Sequence, residues 1–290
     1  VPATTGTQLE VYYDGQDYTA DTDFDQANEV LDKSGNNLHG SQAGGVGFDS
    51  TYKAFTFGAG DYIQTQTLPS TFIDDAQHSI AIWFNLANHD DQRHLFWIDD
   101  NTTGVANQSP HAVIGSDGLL RYDFFANDLQ LLDQIVPNQW YHLVITFSGG
   151  NPNSGTKFYI NGAHNTNVVT GGASAGGTLD IQASSYIVIG ANNVGTTSST
   201  FNGSIANFRL YSKALNAGQV KELYDYQKDY FLGSKSQVTL YKGHLGIGVA
   251  EPSGQLELAG DERIQEYPPR GFGVFAEDPD YETYMEGHGV

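Results

Sequence analysis

Between Gln139 and Ala163 the chain reads QWYHLVITFSGGNPNSGTKFYINGA, and the alternation in that stretch leaves few folds open. Side chains of an extended strand repeat every two residues, so Tyr141, Leu143, Ile145 and Phe147 share one face. Trp140, His142, Val144 and Thr146 take the other. After a Gly/Asn/Pro/Ser loop, Phe158 and Ile160 alternate with Lys157, Tyr159 and Asn161. Asn161-Gly162 then closes a hairpin into a third strand, because a type I′ turn needs positive φ at both central residues. A sheet with one apolar face and one mixed face has to bury the apolar one against another layer.

The rest of the chain supplies that layer. Leu9, Val11 and Tyr13 alternate, as do Ile80, Ile82, Phe84 and Leu86 opposite Ala81 and Trp83. Short strands are expected over Ala54–Phe57, Tyr62–Ile63, His94–Ile98 and Ser185–Gly190. His111–Ile114 and Leu119–Phe125 flank Asp117-Gly118, a second hairpin signal. In SIANFRLY, from Ser204 to Tyr211, Ile205, Phe208 and Leu210 alternate less regularly. One helix is signalled: Asn216 as N-cap with Gln219 three residues on, then a stripe of Val220, Leu223 and Tyr224. It is expected across a sheet edge. The reading is all-β with one short C-terminal helix and a small β-rich tail.

Composition narrows the partners. Thirteen Lys and Arg face 34 Asp and Glu, a formal charge of −21. That field repels phosphate backbones and anionic lipid, so no nucleic acid is expected as a partner. No apolar run has the length of a membrane span, so no membrane insertion is expected. Zero cysteines exclude a disulfide framework and a thiol nucleophile. The start at Val1-Pro2 and the stop at Gly289-Val290 suggest a segment processed or excised from something longer.

Several segments in order resemble the laminin-G-like, concanavalin-A-like lectin/glucanase superfamily. They are Gly60-Asp61-Tyr62-Ile63, Ser79 to Phe84, Asp117-Gly118, Gln139 to Val144, Tyr159-Ile160-Asn161-Gly162, Phe201 to Tyr211, and Lys213-Ala214-Leu215 with the helix. The resemblance runs over roughly residues 9–231 and implies a jelly-roll sandwich of two antiparallel sheets. It also implies binding of glycans or proteins, sometimes with structural calcium. The family often carries an acidic residue where this chain has Ala206-Asn207, which weakens a calcium site on that strand. The run from His244 to Leu258 resembles the glycine-punctuated module of phage and algal-virus fibre and attachment proteins, often trimeric. The expected organisation is a sandwich over 1–231, a β-module of two short strands over 232–260 and an acidic Pro/Tyr-rich linker over 261–290. The module either joins three chains or caps the sandwich.

Glycoside hydrolysis needs two carboxylates at a defined separation, and no glutamate occurs between Glu29 and Glu222. Jelly-roll lyases use His and Tyr with an Arg or Gln; His142, Tyr141, Tyr122, Arg121 and Gln139 supply the types without the motifs. No enzyme is expected. Calcium takes oxygens from carboxylates, amides and carbonyls in loops, which makes Asp32, Asp61, Asp99, Asp100 and Asn101 its candidate ligands, against solvated turn carboxylates. Sugars are held by aromatic faces and read by amides. The candidates are Trp97, Tyr122, His142, Tyr159, Tyr186, Asn192 and Asn193. Replacing Tyr159 is expected to change binding and spare the fold. The functional expectation is a non-catalytic attachment module on an extracellular or virion surface, with glycans or neighbouring structural proteins as partners. An architectural role and a carbohydrate-active enzyme are the alternatives.

Overall fold

The computed structural model describes residues 6–20, 30–99, 105–125, 128–171, 176–192, 199–232, 238–241, 243–247 and 255–258. Asp100, Asn101, Asn193, the side chain of Asp99 and the acidic segment 261–290 lie outside the described residues. The chain divides into two units, Val1–Leu232 and Gly233–Val290.

The first unit is an all-β sandwich of two antiparallel sheets, each of eight strands among the described residues. Sheet one holds β1 (Leu9–Tyr13), β3 (Gly47–Asp49), β4 (Ala54–Phe57), β6 (His78–Leu86), β11 (Trp140–Phe147), β12 (Thr156–Ile160), β13 (Ala163–Asn165) and β16 (Gly203–Tyr211). Its order is β13-β12-β11-β6-β16-β4-β3, with β1 also paired to β16. Sheet two holds β2 (Ser41–Ala43), β5 (Tyr62–Gln64), β7 (Arg93–Asp99), β8 (His111–Ile114), β9 (Leu119–Asp123), β10 (Asp128–Gln134), β14 (Val168–Gly171) and β15 (Tyr186–Ile189). Its order is β14-β10-β9-β8-β7-β15-β5-β2.

The alternation from Trp140 onward sets the register. Leu143 opposes Ile160 and Ile145 opposes Phe158, while on the other side Ile145 faces Ile80 and Leu143 faces Ile82. These side chains meet Phe96, Ile114, Leu120, Tyr122 and Ile187 of sheet two in one continuous core. Each fully buried aliphatic or Phe side chain there contributes about 1.5–3 kcal/mol. Asn161 and Gly162 have φ of 50° and 78°, the two positive values that the turn requires.

Among the described residues two α-helices accompany the strands. The loop between β11 and β12 contains one turn, α1 (Pro152–Gly155), capped by Asn151. The second, α2 (Ala217–Phe231), begins with the full capping box of Asn216 and Gln219. It does not cross a sheet edge as the stripe suggested; it lies on the outer face of sheet one. Val220 and Leu223 pack with Ala81, Val144, Tyr159 and Tyr211, and Phe231 packs with Trp83, Trp140, Ala54 and Ala206. The reason lies in the strands: their outward alternate positions are themselves largely apolar, so this face needs cover as the inner one does. Gly162 shows how close the cover is. A Cβ there would come within 2.7 Å of the Tyr224 ring.

The second unit contains three short strands among its described residues, where two were expected. β17 (Val238–Tyr241) and β18 (His244–Ile247) pair antiparallel about Gly243, and β19 (Leu256–Leu258) pairs parallel to β18. Gly243, at φ 85°, makes the tight turn that splits the expected first strand in two.

Candidate functional site

A pocket of about 450 Å³ opens in the first unit between β1, β16 and the C-terminal half of α2. β16 creates it. Ile205 faces the core and Ala206 faces out; Phe208 and Leu210 face the core again, with Arg209 outward. The register against β6 shifts between Ala206 and Arg209, so Asn207 is the extra residue of a β-bulge. Its φ of 52° suits asparagine, which tolerates the left-handed region better than most side chains. The uneven spacing of Ile205, Phe208 and Leu210 was the sequence signal of this bulge, and bulges often re-aim side chains beside sites.

Two other segments complete the walls. β1 and the residues after it supply Tyr12, Asp14 and Gln16, while α2 supplies Tyr226, Gln227, Tyr230 and Phe231. Tyr226 and Tyr230, four residues apart on one helical face, are 64% and 42% exposed. Asp14 is buried and well held: it accepts hydrogen bonds from the Tyr12 hydroxyl and from the Gln16 N–H at 2.5 Å, with Lys33 Nζ at 3.3 Å. Burial raises the Tyr12 hydroxyl pKa above its usual range; Arg209 opposes the rise and Asp14 adds to it. Tyr12 therefore stays protonated as a donor.

Beneath the pocket lies Arg209, fully buried. Its Nη1 donates to Gln227 Oε1 at 3.2 Å, the same oxygen that accepts Trp83 Nε1–H at 2.9 Å. Its Nε and Nη2 have no hydrogen-bond partner among the described residues. The arrangement can bind: aromatic faces, amides and a carboxylate line one open concavity. Asp14 is its one carboxylate among the described lining residues, so a pair for acid and base work is not assembled there.

The residues singled out from sequence fall in four places. Tyr122 lies between the sheets, edge-on to Phe158, with its hydroxyl buried and raised in pKa by that burial. It offers no surface to a ligand, because its position on β9 faces the core. His142 and Tyr159 are on the outer face of sheet one as read, but α2 covers them. Tyr159 is 3% exposed, so its expected role as a free binding platform is overturned. Burial lowers the His142 pKa to about 3, with Arg209 adding to the effect.

Trp97 and Tyr186 are brought together on the outer face of sheet two, in a cluster with Val188, Ala191 and Tyr62. The Trp97 ring stacks on His111 at 3.8 Å, and the half-exposed Phe125 stands edge-on to it at 5.6 Å. Both large rings of the cluster are nearly buried. Asn192 follows β15 by three residues and is half-buried. Beside this cluster burial raises the Asp123 carboxyl pKa to about 7; Asp128 adds to the rise and Arg121 opposes it.

The carboxylates proposed for calcium are engaged in separate turns. Asp32 accepts from the backbone N–H of Tyr12, Ser34 and Leu38, and from the Ser34 hydroxyl. Asp61 accepts from the N–H of Gly45 and Gly58. Among the described residues no group of three His, Asp or Glu side chains is placed to hold a metal ion.

A two-sheet antiparallel sandwich with an aromatic, amide-lined pocket is a lectin-like architecture. The chain belongs to the concanavalin A-like lectin/glucanases superfamily, whose family model matches residues 57–221. Among solved structures it is similar to domain 4 of AbnA, an extracellular arabinanase from Geobacillus stearothermophilus, in complex with arabinotriose. That match has a TM-score of 0.54 at 18% identity and covers 75% of this chain and 98% of that one. It is also similar to the botulinum neurotoxin serotype D binding domain, with TM-score 0.54, 17% identity and coverage of 77% of this chain and 52% of that one. A structure of botulinum neurotoxin type C, whose cell entry is dependent upon interaction with two ganglioside molecules, matches at TM-score 0.54 and 16% identity, over 77% and 52%. The chain thus spans about half of these toxin chains. At such identities the likeness is one of fold. Comparison with curated protein sequences found no match.

Proposed function

We propose that the first unit is a non-catalytic glycan-binding module, and that the pocket between β1, the β16 bulge and α2 is where the sugar sits. The observation that carries this is the pairing of exposed Tyr226 and Tyr230 with Asp14, Gln16 and Asn207 around one concavity. Aromatic faces cover the C–H surfaces of a sugar, and the amides and carboxylate take its hydroxyls. Support comes from the two kinds of neighbour: the arabinanase domain holds arabinotriose, and the neurotoxin interacts with gangliosides. We further propose that the module acts in attachment, on an extracellular or virion surface.

A glycan array probed with the wild-type chain and with Tyr226→Ala, each with and without EDTA, tests the reading. Expected are wild-type hits that Tyr226→Ala loses. Absence of hits at high protein concentration would remove the glycan reading and favour an architectural role. Loss of hits in EDTA would establish a calcium requirement.

A further inference from the structure

A second cleft opens at the sandwich edge, lined by residues of β12 and β13 from sheet one and of β10 and β14 from sheet two. It encloses about 230 Å³, room for roughly eight waters and so for about one sugar ring. Asn153, Thr156, Lys157, His164, Thr166 and Thr170 line it. Two buried polar atoms of that lining, Asn153 Oδ1 and Thr156 Oγ1, have no hydrogen-bond partner among the described residues. A buried polar atom without a partner is costly, and sites that keep one are poised for an external group.

The charge of the cleft runs against that of the chain. No carboxylate lines it, and Lys157 takes part in no ion pair among the described residues. Asp133 stays ionised on this rim, its two oxygens accepting from the Nδ2 atoms of Asn165 and Asn167 at 2.7 and 3.0 Å and not paired with Lys157 among the described residues. His164 packs beside Tyr159 with ring centroids 5.1 Å apart, which gives the rim a fixed polar ring.

We propose that this edge cleft binds a single acidic sugar residue. Lys157 pairs with its carboxylate or sulfate, and Asn153 and Thr156 take its hydroxyls. The site shares no residue with the pocket beneath α2 and does not rest on the reading given for that pocket.

Isothermal titration of the full chain at fixed ionic strength tests the proposal, with three oligosaccharides of matched length: a uronate, a sulfated one and a neutral one. At least one acidic probe is expected to bind tenfold or more tighter than the neutral one, and which one binds identifies the acidic group. Lys157→Gln should weaken that binding at least tenfold, Lys157→Arg should retain it, and Tyr226→Ala should leave it within twofold. Thr170→Ala, on the opposite sheet, is the second loss-of-binding variant should Lys157→Gln fail to fold. Equal binding of the neutral probe, no binding of either acidic probe, or indifference to both cleft variants overturns the proposal. So does loss of acidic binding in Tyr226→Ala, which would move the ligand to α2.

Discussion

The guanidinium carbon of Arg209 lies 4.2 Å from the centroid of the Tyr12 ring, so a fully buried cation forms the underside of one pocket wall. Nothing anionic is paired with it among the described residues; its contacts are Gln227 Oε1, the Tyr12 ring and, at 3.5 Å, the Asn207 carbonyl. Removing an unpaired buried charge takes away its desolvation cost along with its contacts. Arg209→Met is therefore expected to leave unfolding free energy within about 1 kcal/mol of wild type, or to raise it. Sugar binding should weaken as Tyr12 loses its support. Urea denaturation beside a glycan titration checks both; a loss of stability above about 3 kcal/mol would show that the cation stabilises the sheet.

Tyr159 and Tyr226 make opposite predictions from similar chemistry. Tyr159→Ala opens a hole between β12 and α2, and large-to-small aromatic replacements in a core cost about 3–5 kcal/mol. Tyr226→Ala removes an exposed ring and should change stability by no more than about 0.5 kcal/mol while abolishing glycan binding in the pocket between β1, β16 and α2. Thermal melts of the two variants separate the covered face from the open pocket. Ile145→Asp, in the inter-sheet core, should not fold at all.

Acid should destabilise the first unit well before most carboxylates titrate. Burial lowers the pKa of His78 and His94 to about 4 and of His111 and His142 to about 3. Each binds its proton more readily when unfolded, so its contribution is complete above pH 6.5 and is lost as pH falls toward the folded value. Asp123, raised to about 7, works in the other direction: its contribution is present below pH 3.8 and lost as pH rises through 7. Near pH 5 unfolding should take up about three protons. Denaturant midpoints between pH 7 and 4.5 measure this; a flat profile would contradict the burial of these imidazoles.

Asn207 separates backbone from side chain. Asn207→Val forces a β-branched residue into positive φ and should cost about 1–3 kcal/mol. Asn207→Gly keeps the bulge relaxed, so stability should hold while the glycan loses one amide partner. Equal binding by wild type and Asn207→Gly would remove this residue from the site.

Much of the sandwich was readable because strands with one buried face announce themselves: Leu143, Ile145, Phe147 and Phe158 stand where alternation put them. The helix was readable from Asn216 and Gln219, since capping is local chemistry. β10 was not, because Asp128, Gln130, Asp133 and Gln134 make DLQLLDQ look like a polar loop. Nor was the cover over His142 and Tyr159. Alternation tells which residues share a face but not what lies on it, and α2 begins more than fifty residues after Tyr159. The pocket was hidden for the same reason: Tyr12, Asn207 and Tyr226 belong to three segments that only the folded chain brings together.

The bulge at Asn207 gives β16 two reading frames. Before it, odd-numbered Ile205 points inward; after it, even-numbered Phe208 and Leu210 do. Deleting this one residue would restore strict alternation along the strand. It would leave Phe208 and Leu210 facing the core and Arg209 facing out, now in unbroken register with β6. The residue that opens the pocket is thus one that the sheet itself does not need, so its deletion should close the site while the last strand of the sandwich stays in phase.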